Sequence, residues 1–253
     1  MMNPINRMEN KPKKSVVQVY FTSRHTSYAY YNDQFDLQVG DLVYVEGKLE
    51  GKQGRVVEVN YNFKIKISDY KRVIALVDTT ITGELFMAGS HFVTYDEDTL
   101  PVRKIRNWFM APQGEEDDFV SGSDEESFPL DQLEEMSISA ATAERGKDYY
   151  LENMVKFLSL DGTKGYAIVE GNEYYEVEFQ YRDGKISQLT CNCFCSHACK
   201  HQFAVMLQLR AILEFIEKHD QKAYQETGYF SAMDKTTLFE YAIMAKKTGS
   251  IAL

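Results

Sequence analysis

The sequence predicts an α+β protein of two domains: a small β-barrel of the SH3-like kind over residues 1–110, and a strand-strand-helix domain over residues 136–253. Three observations predict it. Five short strand-like runs precede residue 80, a stretch rich in acids and free of basic residues interrupts the chain, and all four cysteines crowd into nine residues where a strand meets a helix.

The first half reads as strands in order. Val16 to Phe21, Thr26 to Tyr31, Asp41 to Val45, Gly54 to Val59 and Arg72 to Val77 are short runs rich in β-branched and aromatic residues. Asp33-Gln34, Val39-Gly40 and Gly51-Lys52 supply turns between them. Five such runs with no long helical pattern between them fit a small barrel. A further strand is predicted near His91–Thr94 and a short helix over Val102–Phe109, where the only tryptophan, Trp108, would anchor that helix on the barrel.

The break follows from charge. Net charge is −10 over 253 residues, but it is unevenly spread. Residues 1–106 carry 15 basic and 13 acidic side chains, residues 107–144 carry 11 acidic and none basic, and residues 145–253 carry 13 basic and 14 acidic. A segment of that composition buries too little apolar area to offset its ordering entropy, so residues 111–135 are expected to be a disordered acidic linker. It reads as a solvated spacer or as an autoinhibitory tail.

Pattern returns near Ala143. Asp148 to Leu158 reads as a helix; Gly165–Glu170, Tyr174–Tyr181 and Lys185–Thr190 read as strands joined at Gly171-Asn172 and Asp183-Gly184, both hairpin dipeptides. A long helix is expected from Cys199 to about Lys218, with Phe203, Met206, Leu207, Ala211, Leu213 and Ile216 on its apolar face. A last helix is expected over Asp234–Lys247, ending at Gly249.

The cysteines fall as Cys191-Asn-Cys193-Phe-Cys195-Ser-His-Ala-Cys199, with His201 next but one. Cysteines one residue apart pair poorly, because a disulfide demands specific Cα separations and Cβ directions. Cys191 with Cys193 and Cys199 with His201 offer three thiolates and one imidazole, which suits a tetrahedral Zn²⁺. Cys193 with Cys195 is the alternative first pair, and a redox thiol switch is the alternative role. Alternation along the strand puts Cys191 and Cys193 on one face, and Cys199 and His201 open the helix, so both ends can close on one ion. Zinc contributes on the order of 10–16 kcal/mol to folding in such segments, enough to staple a scaffold with little core of its own.

Tyr175-x-Val177-x-Phe179, Cys191-Asn-Cys193, a gap of five, Cys199-Lys200-His201 and Ala204-Val205 together resemble the SWIM zinc finger over about residues 165–215. The resemblance implies a strand-strand-helix frame with Cys191, Cys193, Cys199 and His201 as ligands. It also implies binding of nucleic acid or protein, often beside helicase-like ATPases, without catalysis. The gap is short for that family, and Cys195 and His197 are additional to its pattern. In the first half, Val43-x-Val45-x-Gly47 through Gly51-x-x-Gly54-x-Val56 is similar to the KOW motif of ribosomal proteins and transcription factors, one residue short between Val45 and Gly47. An ordinary glycine-rich turn gives the same pattern.

Lys64, Lys66, Lys71 and Arg72, interleaved with Tyr61, Phe63 and Tyr70, offer cations for phosphate and rings for bases, and equally the lysine-rich face of a solvated strand. No nucleotide-binding loop, nucleophile elbow or His-Glu-x-x-His pattern occurs, so no enzyme is expected. With neither an apolar run long enough to span a membrane nor a secretory leader, the expected location is cytoplasmic.

Overall fold

The computed structural model describes residues 13–112, 126–195 and 197–244, which divide into two compact units. One takes in residues 13–80, 106–112 and 240–244, the other residues 81–105 and 126–239. The division falls elsewhere than at residue 110.

In the first unit, β1 (Ser15–Phe21), β2 (Thr26–Asn32), β3 (Leu42–Val45), β4 (Gly54–Asn60) and β5 (Val73–Leu76) form an antiparallel sheet in the order β2-β1-β4-β3-β5. Strand β1 alternates strictly, sending Val17, Val19 and Phe21 into a core with Val43, Val45, Val56 and Val73. The sheet is not closed into the expected barrel. Strand β5 has only four residues and pairs with β3 along one edge; its other side meets β2 at a single parallel bridge between Tyr31 and Arg72. Trp108 is fully buried; its Nε1 donates to the carbonyl of Asp78 at 2.7 Å, and its ring stacks on Tyr241 at 4.9 Å.

The second unit is an eight-stranded antiparallel sheet. Its strands are β6 (Phe86–Ala88), β7 (His91–Thr94), β8 (Ser127–Pro129), β9 (Val155–Asp161), β10 (Lys164–Glu170), β11 (Tyr174–Arg182), β12 (Lys185–Cys191) and β13 (Tyr229–Asp234). They lie in the order β6-β7-β13-β9-β10-β11-β12-β8. Helix α1 (Val102–Phe109) runs from this unit into the first, while α2 (Ala140–Leu151), α3 (Lys200–His219), α4 (Gln221–Thr227) and α5 (Lys235–Leu238) belong to the second. Val205, Leu209, Ile212 and Ile216 repeat at helical spacing along α3 and join Leu158, Leu160, Ala167, Val169, Val177 and Phe179 of the sheet in one core.

Some sequence expectations are corrected here. The β6–β7 hairpin belongs with β13, through pairs such as Thr94 with Ser231, because its partner strand lies far along the chain. The expected helix over Asp148–Leu158 starts earlier, at Ser139, whose hydroxyl caps the Thr142 N–H, and gives way to β9. Phe157, Leu158, Ser159 and Leu160 are all buried, and a continuous apolar run in a central strand cannot be told from a helix by period. The expected last helix over Asp234–Lys247 is found as far as it is described: Asp234 ends β13 and caps α5, and a π turn follows over Phe239–Met244; the remainder lies outside the described residues.

The acidic segment is also divided. Residues 113–125 lie outside the described residues, whereas Ser127–Pro129 pairs with Lys185–Ser187 on the edge of the sheet. Phe128, Leu130, Leu133 and Met136 are buried there, spaced between acids that set the average composition. Phe128→Ala is expected to lower the urea stability of this unit by about 3 kcal/mol, the loss typical of a buried phenylalanine. An unchanged midpoint would mean that this edge is not part of the cooperative fold.

Candidate metal centre

The site is assembled by one strand end and one helix start. Cys191 closes β12 opposite Val177 of β11, and Cys193 follows two residues on. Cys199 is the N-cap of α3: its sulfur accepts the Gln202 backbone N–H while its own N–H donates to Gln202 Oε1 at 2.8 Å, a reciprocal capping box. Nε2 of Gln202 donates to the carbonyl of Leu189 at 3.1 Å, tying the helix start to β12. His201 lies in the first turn.

Cys191, Cys193, Cys199 and His201 bring one ligand atom each to within 4.8 Å of one another. Nδ1 of His201 is 3.8 Å from both Cys191 Sγ and Cys199 Sγ. A tetrahedron with Zn–S bonds of ~2.3 Å spaces its sulfurs by about 3.8 Å. The donor set and its spacing therefore fit a metal ion, and three sulfurs with one imidazole are a set that zinc favours. Cys199 and His201 are buried, Cys191 and Cys193 half-buried, and Cys195 is exposed outside the cluster. His197 is exposed as well. A cleft of about 390 Å³ borders the cluster beside Glu126, Ser137 and His197, leaving an entry path for an ion.

Electrostatics prepares one thiolate before any ion arrives. A hydrogen bond from the Cys191 thiol, helped by His201 and the Gln202 N–H, holds Cys199 down to about 4 against its burial. That position at a helix N-terminus is where a thiolate is best stabilised. Cys191, the partner in that hydrogen bond, is pushed up, and burial raises Cys193 to about 11. A metal must displace the protons from these two thiols, so binding releases protons and weakens in acid.

The surroundings were less legible than the ligands. Gly146 of α2 lets that helix close on α3, since a Cβ there would meet Phe203 Cβ at 2.8 Å and the Lys200 carbonyl oxygen at 2.9 Å. This approach brings Tyr149 within 5.5 Å of the His201 ring, with Lys200 Nζ 4.3 Å over the Tyr149 ring. Tyr175 of β11 stacks on His201 at 4.3 Å and 17°. Tyr175 shares a strand face with Val177 and Phe179, and the Cys199 to Gln202 interval is that of a capping box; these were the available signals. Phe194, between Cys193 and Cys195, is the most exposed large apolar residue described.

The basic and aromatic patch of the first unit is partly spent internally. Arg72 is 2.6 Å from Asp33 and lies over Tyr31, and Phe63 packs edge-on to Tyr31, while Lys64, Lys66 and Lys71 stay exposed. The Val43–Val56 pattern falls on β3, β4 and their connection, in which Gly47 and Gly51 adopt φ of 91° and 76°.

The chain matches no protein-family model, no curated protein and no solved structure. Among the described residues no helix is long and apolar enough to cross a membrane.

Serine at Cys191, Cys193 or Cys199, or alanine at His201, is expected to cut zinc content well below one per chain, measured by elemental analysis of purified protein. Cys195→Ser should keep full occupancy. Loss on Cys195→Ser with retention on Cys191→Ser would move the first ligand pair to Cys193 and Cys195.

Proposed function

We propose that this chain is a zinc-binding protein of the SWIM type, with Cys191, Cys193, Cys199 and His201 as ligands, acting as a non-enzymatic adaptor that binds nucleic acid or the machinery handling it. The ion's role is to staple β12 to α3. With three thiolates and an imidazole filling a tetrahedral ion, no position remains for a substrate, which supports recognition over catalysis. The frame of β11, β12 and α3 agrees with the resemblance carried by Tyr175, Val177, Phe179 and the cysteine spacing.

The observation that carries recognition is Phe194. An apolar ring fully in water, on the loop between ligand pairs, contributes nothing to the core. Lys200 stands at the start of α3, the helix that carries His201. A cation and an exposed ring are the ingredients of single-strand binding, where stacking contributes about 1–3 kcal/mol per base. The second reading is a protein–protein scaffold with purely structural zinc; it is favoured by the absence of a basic excess in residues 145–253, which carry 13 basic and 14 acidic side chains.

Zinc-loaded protein should shift labelled single-stranded DNA or RNA in a gel titration, with affinity falling steeply as salt rises. Phe194→Ala should weaken binding about tenfold or more while leaving zinc content intact. No shift at low salt would overturn nucleic-acid recognition and leave the scaffold.

A further inference from the structure

A metal-bound imidazole ordinarily donates its second ring N–H to a carboxylate, carbonyl or water, and that bond fixes the ring's orientation. His201 departs from this pattern. Its Nδ1 faces Cys191 and Cys199, which leaves Nε2 to carry the proton, yet Nε2 is buried with no hydrogen-bond partner among the described residues. What surrounds the ring is aromatic. Tyr175 lies nearly parallel to it at 4.3 Å, and Tyr149 approaches at 5.5 Å and 57°, itself covered by Lys200.

We propose that Tyr175 is a positioning residue for the metal site, orienting His201 by ring stacking in place of the missing hydrogen bond. The inference rests on the zinc reading above. It makes Tyr175 more than a packing residue. Binding Zn²⁺ through Nδ1 draws electron density out of the imidazole, and the negative face of a tyrosine ring attracts an electron-poor partner. The stack is therefore stronger in the loaded state than in the free state, and only such a difference can raise metal affinity.

Gly171 completes the arrangement. A Cβ at this position would lie 2.9 Å from Tyr175 Cε2 and 3.5 Å from His201 Nε2. The turn from β10 to β11 reaches the two rings because it carries no side chain here. An alanine would push the Tyr175 ring off the stack.

The test is the zinc dissociation constant of the full chain, measured by competition with a chromophoric chelator. Tyr175→Leu and Gly171→Ala should each raise it by about 10-fold to 100-fold, the usual loss when a ligand's outer support is removed. Tyr175→Phe should bind zinc like wild type, since it keeps the ring and loses only the hydroxyl. A merely structural role would lower the thermal midpoint of metal-free protein without this ring-specific rescue. Wild-type affinity in Tyr175→Leu, or loss in Tyr175→Phe equal to that in Tyr175→Leu, would overturn the proposal. If wild-type protein binds no zinc, the metal reading itself fails, and the stacking role fails with it.

Discussion

The second unit depends on holding the end of β12 against the start of α3. The five residues between Cys193 and Cys199 form no regular structure among those described, and two of the four donors sit on either side of that gap. Three sulfurs and an imidazole crowded within 4.8 Å are a poor arrangement without an ion: they include a thiolate, two thiols competing for its hydrogen bonds and a buried imidazole nitrogen without a partner. A divalent cation would resolve the crowding by replacing these thiol protons with coordinate bonds. The protein organises the helix side through the Cys199–Gln202 capping box, so part of the site is preformed. The strand side is fixed by the β11–β12 ladder.

A candidate metal cluster was legible in the sequence because metal ligation demands particular side chains at short intervals. Spacing left two candidate first pairs, Cys191 with Cys193 and Cys193 with Cys195, and the cluster in the fold gathers Cys191, Cys193, Cys199 and His201 while Cys195 is exposed outside it. The rings around His201 were not legible as a set. Tyr149, Tyr175 and Gly171 come from a helix, a strand and a turn, and only the folded sheet brings them to one imidazole. No local pattern encodes that convergence.

The fold was legible where contacts are local and obscured where they are not. The hairpin of β10 and β11, the next of β11 and β12, and helix α3 followed from turn dipeptides and periodicity. Strand β9 was read as the tail of a helix because burial on both faces erases the alternation that marks a strand. Strands β7 and β13 pair across more than half the chain, so neither announces the other. In the acidic segment, average composition concealed Phe128, Leu130 and Leu133, which the sheet edge buries. Composition describes a segment's mean and is blind to a few apolar residues at the right spacing.

The central claim is that one ion is bound by these three sulfurs and this imidazole. X-ray absorption at the zinc edge of the purified chain tests it most directly. The account predicts about three sulfur scatterers at ~2.3 Å and one nitrogen at ~2.0 Å, with the outer-shell pattern of an imidazole. A shell of four sulfurs, a shell dominated by oxygen, or the absence of stoichiometric metal would contradict it.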